Sequence, residues 1–393
     1  MANTAPNVAK EVCHTSDYLA TFTVGMVLAG AALVSPFTAY FISALGRRKA
    51  FIYAGIFNLV SSGVTGITAI FYENIYALFA CCFLVGAQQG IAQFYRFSVV
   101  EVCGSYPKSV VISIVISGGM AAGLIGPQGS RGTVELAHPD YSATMYMMAG
   151  LSLVNLFAIS LVAFPDKRPA VEEPEATKPK RKSLASLLSQ PDIALAIIIA
   201  TLAHSAMLTL MSTVTLAIQD SDVDSGPAYT FDASSNVLTC HYLGMFAPGL
   251  FSGFIIQRIG PYFSTLFGTV LFGGATAVLW TSTELWSFYV GMTAVGIAWN
   301  FCFSSATVLL TQSYKPEDAM VLQGANDLIL FGVAGICSFS AGFIYAKIGW
   351  LVVVMFAIGV CGAELVILGA FRYIRNRKQS ALEEALLADS EQP

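Results

Sequence analysis

The side chains able to do chemistry in this sequence are few, and they stand inside long apolar runs. Asp327 sits with Gln323 and Asn326 in "LQGANDLILFG" (322–332). Arg96 and Glu101 flank "FSVV" in "QFYRFSVVE" (93–101), and His204, His241, Trp299 and Asn300 occupy three further apolar stretches. An ionisable group is costly to hold in hydrocarbon, so each is a site candidate. A carboxylate at 327 can pair with a cation, bind a donor on a solute or carry a proton; beside the positive end of a helix it also has a purely structural role. Arg96 and Glu101 are five apart, a poor intrahelical spacing, which points to partners on other helices and to a structural clamp. His204 and His241 can titrate near neutral pH or be satisfied core side chains; two on separate stretches make no metal site without further ligands. Gln89, Gln93 and Tyr95 give one helix a polar, aromatic side, suited to stacking on a planar solute or to interhelical hydrogen bonds. Trp299 and Asn300 read as cavity lining or as packing. Glu364, deep in the last apolar run, must be protonated or paired and takes no role from its spacing.

The elements that position these groups are membrane helices. The chain has 393 residues, 55% hydrophobic and 11% charged, where a soluble chain carries about 25% charged residues. Eleven apolar runs are seen near 19–45, 50–70, 75–98, 109–128, 143–164, 191–218, 235–257, 262–281, 286–311, 322–345 and 350–371. Each is long enough to cross a ~30 Å hydrocarbon core. The fold class is therefore an all-α polytopic membrane protein; a barrel would need short alternating strands. The eight cysteines lie mostly within these runs without metal spacing and read as small buried hydrophobes. No nucleotide-binding loop, nucleophile elbow or metal cluster stands out, which argues against an ATP-driven pump or an enzyme and implies no cofactor, metal or nucleic-acid partner.

A Pro-rich, doubly charged segment, 165–190, reads as a solvated linker between an N-terminal bundle (1–164) and a C-terminal six-helix bundle (191–371), with a tail (372–393) that is basic and then acidic, disordered or a short frayed helix. Of the 20 Lys and Arg residues, 17 fall on alternate loops that include the linker and tail; only Lys10, Arg131 and Lys347 lie on the other side. The positive-inside rule places linker and C-terminus in the cytosol, and an odd number of spans then places the N-terminus outside.

"ALGRRKAF" (44–51) and "GFIIQRIGPYFS" (253–264) close one run and open the next with a Gly beside a basic residue, a weak internal symmetry of the kind built into repeat transporters. Gly46, Arg47 and Arg48 in the first, and Gly253, Arg258 and Gly260 in the second, resemble the G-x-L-x-D-R-x-G-R-R loop signature of the major facilitator superfamily, with Gln257 where its Asp is usual and Ser43-Ala44 in place of Asp-Arg in the first copy. "SGGMAAGLIGPQGSR", "HYLGMFAPGLFSG" and "WNFCFSSATVLLTQSY", with the two segments around Arg96 and Asp327, look like a bacterial subgroup that includes riboflavin transporters. The resemblance implies two bundles of six helices around a central site and both termini in the cytosol. Eleven runs seen of an expected twelve then match the family's second to twelfth helices, the polar head "MANTAPNVAKEVCHTSDY" matching the end of the first helix and the following loop. Gly126 and Pro127 resemble the Gly-Pro signature of antiporters and imply bending and close packing there, while Gly86 stands where many proton-coupled members carry an Arg. The implied function is secondary transport of a small organic solute by alternating access, riboflavin or a similar vitamin being the sharpest expectation. The coupling ion, H⁺ or Na⁺, stays open, and the protein is expected to be a monomer in a lipid bilayer. Drug or metabolite efflux, and a non-transporting scaffold or sensor, are the alternatives.

Overall fold

The structure, a computed structural model, describes residues 4–162, 183–220 and 229–390. Hydrocarbon offers no hydrogen-bond partner, so each crossing closes its backbone bonds internally as helix. Helical turns α1 (Thr4–Asn7) and a π-helical segment (Val8–Val12) lead into α2 (Asp17–Leu45). A second crossing is built from α3 (Arg47–Val60), a π-helical segment (Ser61–Gly66) and α4 (Ile67–Phe71); a third from α5 (Ile75–Ala92) and α6 (Tyr95–Val102). Then come α7 (Lys108–Ser117) and α8 (Gly119–Thr133), followed by α9 (Ser142–Leu161). The second half comprises α10 (Leu184–Leu188), α11 (Pro191–Gln219), α12 (Phe231–Phe246), α13 (Gly249–Thr281), α14 (Leu285–Ser313), α15 (Ala319–Ile348) and α16 (Trp350–Ser390).

Among the described residues nine helices are long and apolar enough to cross a membrane. The difference from eleven runs has two local causes. The span Asp232–Thr281 is one 50-residue stretch that breaks at Gly260, and Phe22–Thr38 is a shorter apolar segment within α2. The two symmetric loops share one backbone conformation: Gly46 has φ 82° and ψ 159°, Gly260 has φ 83° and ψ 160°. That left-handed region favours a residue without a Cβ, which is why the loop keeps its Gly when its other residues differ. Start signals are legible elsewhere: the Asn74 side chain accepts from the N–H groups of Tyr76 and Ala77, and Pro191 opens α11.

The polar head is a helical end followed by a short connection, as expected, with Val8 and Ala9 fully buried against Ile70, Leu78 and Met145. Other expectations shift. The linker lies outside the described residues except for its last part, where Leu187 of α10 is buried rather than solvated. Residues 372–390 of the tail continue α16 without a break rather than forming a short helix of their own. In the fourth crossing the regular helix is interrupted at Gly118, between α7 and α8, and Pro127 lies inside α8.

The halves meet along α2 and α15, α7 and α13, and α8 and α12. Small residues let the backbones approach. A Cβ at Gly249 or Gly253 would stand 2.6 Å from the carbonyl oxygen of Ser113 or Ser109, respectively, and one at Gly123 would stand 2.6 Å from Cβ of Tyr242. Gly126, expected to pack closely, has open space at its Cβ position; Gly123 and Gly119 make the close approach instead, about one and two turns earlier, respectively.

Candidate functional site

Arg96 is placed by a local fault in its helix. The Phe94 N–H bonds to the Ile91 carbonyl at 3.2 Å, a tighter turn than the α-helix, and redirects the chain from α5 into α6. The guanidinium is then only 3% exposed, and its Nη2 donates to Oδ1 of Asp327, on α15 in the other half. Asn326 Nδ2 donates to the same oxygen at 2.8 Å. The guanidinium also lies over two rings, 4.6 Å from the centroid of Phe97 and 4.5 Å from that of Phe303. A cation over a desolvated ring face gains roughly 2 kcal/mol, which helps to offset its removal from water.

Phe303 begins an aromatic platform. One helical turn away on α14, Trp299 stacks on it at 4.6 Å and 16°. The Trp299 indole N–H donates to Nδ1 of His204 on α11 at 3.0 Å, so the proton of the neutral imidazole is assigned to Nε2. Phe331 of α15 meets the His204 ring edge-on at 5.6 Å, and Phe246 meets Trp299 at 6.1 Å. Beside the platform, hydrogen-bonding capacity is left over. Arg96 Nε and Nη1 and Asp327 Oδ2 are buried without a partner among the described residues. Such groups cost about 1–3 kcal/mol each if left unpaired.

The other expected residues divide. Gln89 and Gln93 are half-buried, on α5 and just after it. The Tyr95 ring packs against Phe51 at 4.3 Å, and its hydroxyl is buried without a partner among the described residues. His241 bonds through Nδ1 to the Met292 carbonyl at 2.7 Å, and Asn300 Nδ2 donates to the Met245 carbonyl at 2.7 Å. Both fasten α12 to α14 rather than joining the platform. The Glu101 side chain lies outside the described residues, so the clamp partner that the structure gives Arg96 is Asp327. Arg48 donates to the Ser160 carbonyl at 2.6 Å, a cation at the C-terminal end of α9. Arg47 is half-buried, Arg258 is exposed and Pro127 is buried. Phe97, Phe303 and Phe331 were not expected, and no spacing in the sequence singles them out.

The seam is fastened at two levels. On the side of the basic loops, besides Arg96–Asp327, Lys108 Nζ donates to the Thr311 carbonyl at 3.3 Å. On the opposite side, Arg131 Nη2 donates to Asp232 Oδ2 at 2.8 Å, and Gln128 Nε2 donates to Asn236 Oδ1 and Thr239 Oγ1 at 3.1 and 3.0 Å. The rings of Phe22 and Phe339 meet there at 5.3 Å. The two halves are thus closed on each other on both sides of the platform.

The Major Facilitator Superfamily profile matches residues 2–233. The riboflavin transporter RfnT of Brucella anthropi is 27% identical over 337 residues, 84% of this chain and 81% of that protein. The uncharacterized MFS-type transporter YdeG of Bacillus subtilis is 24% identical over 331 residues, 80% of this chain and 74% of that protein. Solved structures share the fold: the human organic anion transporter MFSD10 (TM-score 0.66, 13% identity, 93% of this chain and 89% of that one) and a bacterial homologue of the iron transporter ferroportin in an outward-facing state (0.66, 15%, 94% of each).

Proposed function

Because this chain belongs to the Major Facilitator Superfamily, and is a multi-pass membrane transporter of that group, we propose that it moves a planar aromatic solute, riboflavin or a close analogue, by rocking its two halves about the Trp299–Phe303 platform. The N-terminal bundle is residues 1–164 and the C-terminal bundle 191–371. The basic side, with the linker (165–190) and the tail (372–393), faces the cytosol, in keeping with 17 of 20 basic residues on that side.

The observation that carries this reading is a buried aromatic platform with unpaired hydrogen-bonding atoms beside it. Two stacked rings, 4.6 Å apart, are of the kind that receives a flat heterocycle once the halves part. The free Nε and Nη1 of Arg96 donate, and the free Oδ2 of Asp327 accepts. A ring bearing neighbouring carbonyl and N–H groups, such as the imide edge of a flavin, satisfies both kinds of atom at once. The RfnT relative is named for riboflavin, which agrees with that chemistry.

The test is equilibrium binding of riboflavin to the purified full chain in lipid, followed by quenching of flavin fluorescence on stacking. Trp299→Ala removes one ring of the platform, worth about 0.5–1.5 kcal/mol or roughly 2- to 13-fold in Kd. Binding by the wild type that weakens in that range supports the reading. A wild type that binds no flavin, or a variant that binds as tightly, overturns it.

A further inference from the structure

Glu364 belongs to none of the contacts above. It lies on α16, is 1% exposed, and sits behind α14 rather than on the seam. Its Oε2 is 2.9 Å from the hydroxyl of Thr269 on α13, and Oε1 has no partner among the described residues. No ion pair reaches it among those residues. The titratable neighbours are two free thiols, Cys302 of α14 and Cys361 of α16 itself; from α11 and α15, also packed on α16, no described charge pairs with it.

A neutral acid lets both short contacts of the Thr269 hydroxyl be hydrogen bonds. The Thr269 hydroxyl has one proton, yet it stands 2.9 Å from Glu364 Oε2, 3.1 Å from the Thr265 carbonyl and 3.7 Å from the Cys302 sulfur. One arrangement serves the first two: Glu364 Oε2–H donates to Thr269 Oγ1, whose own proton goes to Thr265. Oε1 is then the carbonyl oxygen of a neutral acid, far cheaper to leave bare than a carboxylate oxygen, whose burial without a cation costs several kcal/mol.

Its position gives the proton a consequence. Thr269 is eight residues from Pro261 and Asp327 eight from Ala319, so both acids lie ~12 Å in from the basic side. They flank α14, where consecutive residues face them: Phe303 meets the Arg96 guanidinium, and the Cys302 sulfur meets the Thr269 hydroxyl. A charge appearing at Glu364 disturbs the packing of α16 on α13, and α13 in turn packs on the helix that carries the platform.

We propose that Glu364 is an intramembrane proton-binding site: neutral in the closed conformation, it gives its proton to water and regains it during transport, coupling solute movement to a proton gradient. Only an O–H bond breaks and re-forms; the carboxylate keeps the electron pair. This rests on the transport reading above, and two measurements keep the failures apart. Infrared spectra of the full chain in lipid must show a neutral carboxylic C=O band that Glu364→Gln lacks; its absence from the wild type overturns the proposal whatever the solute is. In vesicles with the membrane potential clamped, a gradient of about one pH unit sustains a solute gradient of about tenfold per coupled proton. The wild type should reach it with riboflavin, while Glu364→Gln equilibrates the solute near unity yet still exchanges labelled for unlabelled riboflavin. A Gln variant that concentrates riboflavin as the wild type does overturns coupling at this site. A wild type that moves no riboflavin overturns the solute reading, and the infrared result still decides whether Glu364 binds a proton.

Discussion

At the scale of residues, Arg96 and Asp327 each carry a charge to a place that tolerates neither alone, since both are 3% exposed or less. Removing one partner leaves the other uncompensated, so Arg96→Ala or Asp327→Ala should cost about 3–5 kcal/mol of stability. Thermal unfolding in detergent checks this. Replacing both by apolar residues of similar volume (Arg96→Met with Asp327→Leu) should restore most of that stability and still bind no riboflavin, because the open donors and acceptor are gone. A polar residue in an apolar run announces that it has a partner, and for that reason Asp327, Arg96, His204 and Trp299 were legible in the sequence. Whether the partner is protein or solute was not. His241 and Asn300 carry the same signal and bind backbone carbonyls. Phe303 was illegible because one Phe among 27 carries no mark until Arg96 lies over it, and the pairing of residues 231 apart follows from no spacing rule.

At the scale of elements, the seam between α7 and α13 depends on backbone contact at Gly253, where a Cβ would stand 2.6 Å from the Ser109 carbonyl oxygen. Gly253→Ala forces the helices apart. Overpacking of this kind costs about 1–3 kcal/mol, which shifts the open-to-closed ratio roughly 5- to 150-fold toward open. A cysteine introduced at Ser109 should react correspondingly faster with a thiol reagent in the variant; unchanged reactivity means that the seam does not move there. The head is a second testable element. Tyr141, just before α9, donates to Glu11 Oε2 at 2.5 Å. Burial first, then the hydrogen bond and charge of Glu11, hold its hydroxyl above the ordinary tyrosine range. A group whose proton is held more tightly when folded stabilises fully below its unfolded value, and that stability is lost as the pH rises from there through the folded value. The Tyr141 tether, about 1 kcal/mol, should thus be intact at neutral pH and fade above about pH 10. Thermal unfolding of the wild type and Tyr141→Phe should therefore converge on the alkaline side alone. Helix class and loop glycines were legible here because hydrophobic length and positive φ leave a mark on residue type. The break at Gly118 and the packing of the polar head left none, since each depends on which helix lies opposite.

At the scale of the whole molecule, the fold was legible because hydrocarbon leaves the backbone few solutions. The closure of the seam was not, because Arg131–Asp232 and Lys108–Thr311 join segments that no local pattern relates. The central claim is that the halves part alternately on the two sides of the platform, so fastening one side must stop transport. Arg131 and Asp232 suit that test: 41% and 52% exposed, they form a pair worth only about 0–1 kcal/mol and lie away from the platform. The measurement is riboflavin uptake into vesicles by Arg131→Cys with Asp232→Cys, its four partly exposed native cysteines (13, 103, 240 and 337) replaced by serine, before and after bridging the new pair with a short bis-methanethiosulfonate, whose disulfides a reductant cleaves. Uptake that proceeds before bridging, stops after it and returns on cleavage is the predicted result. Uptake at an unchanged rate with the pair bridged would contradict the account.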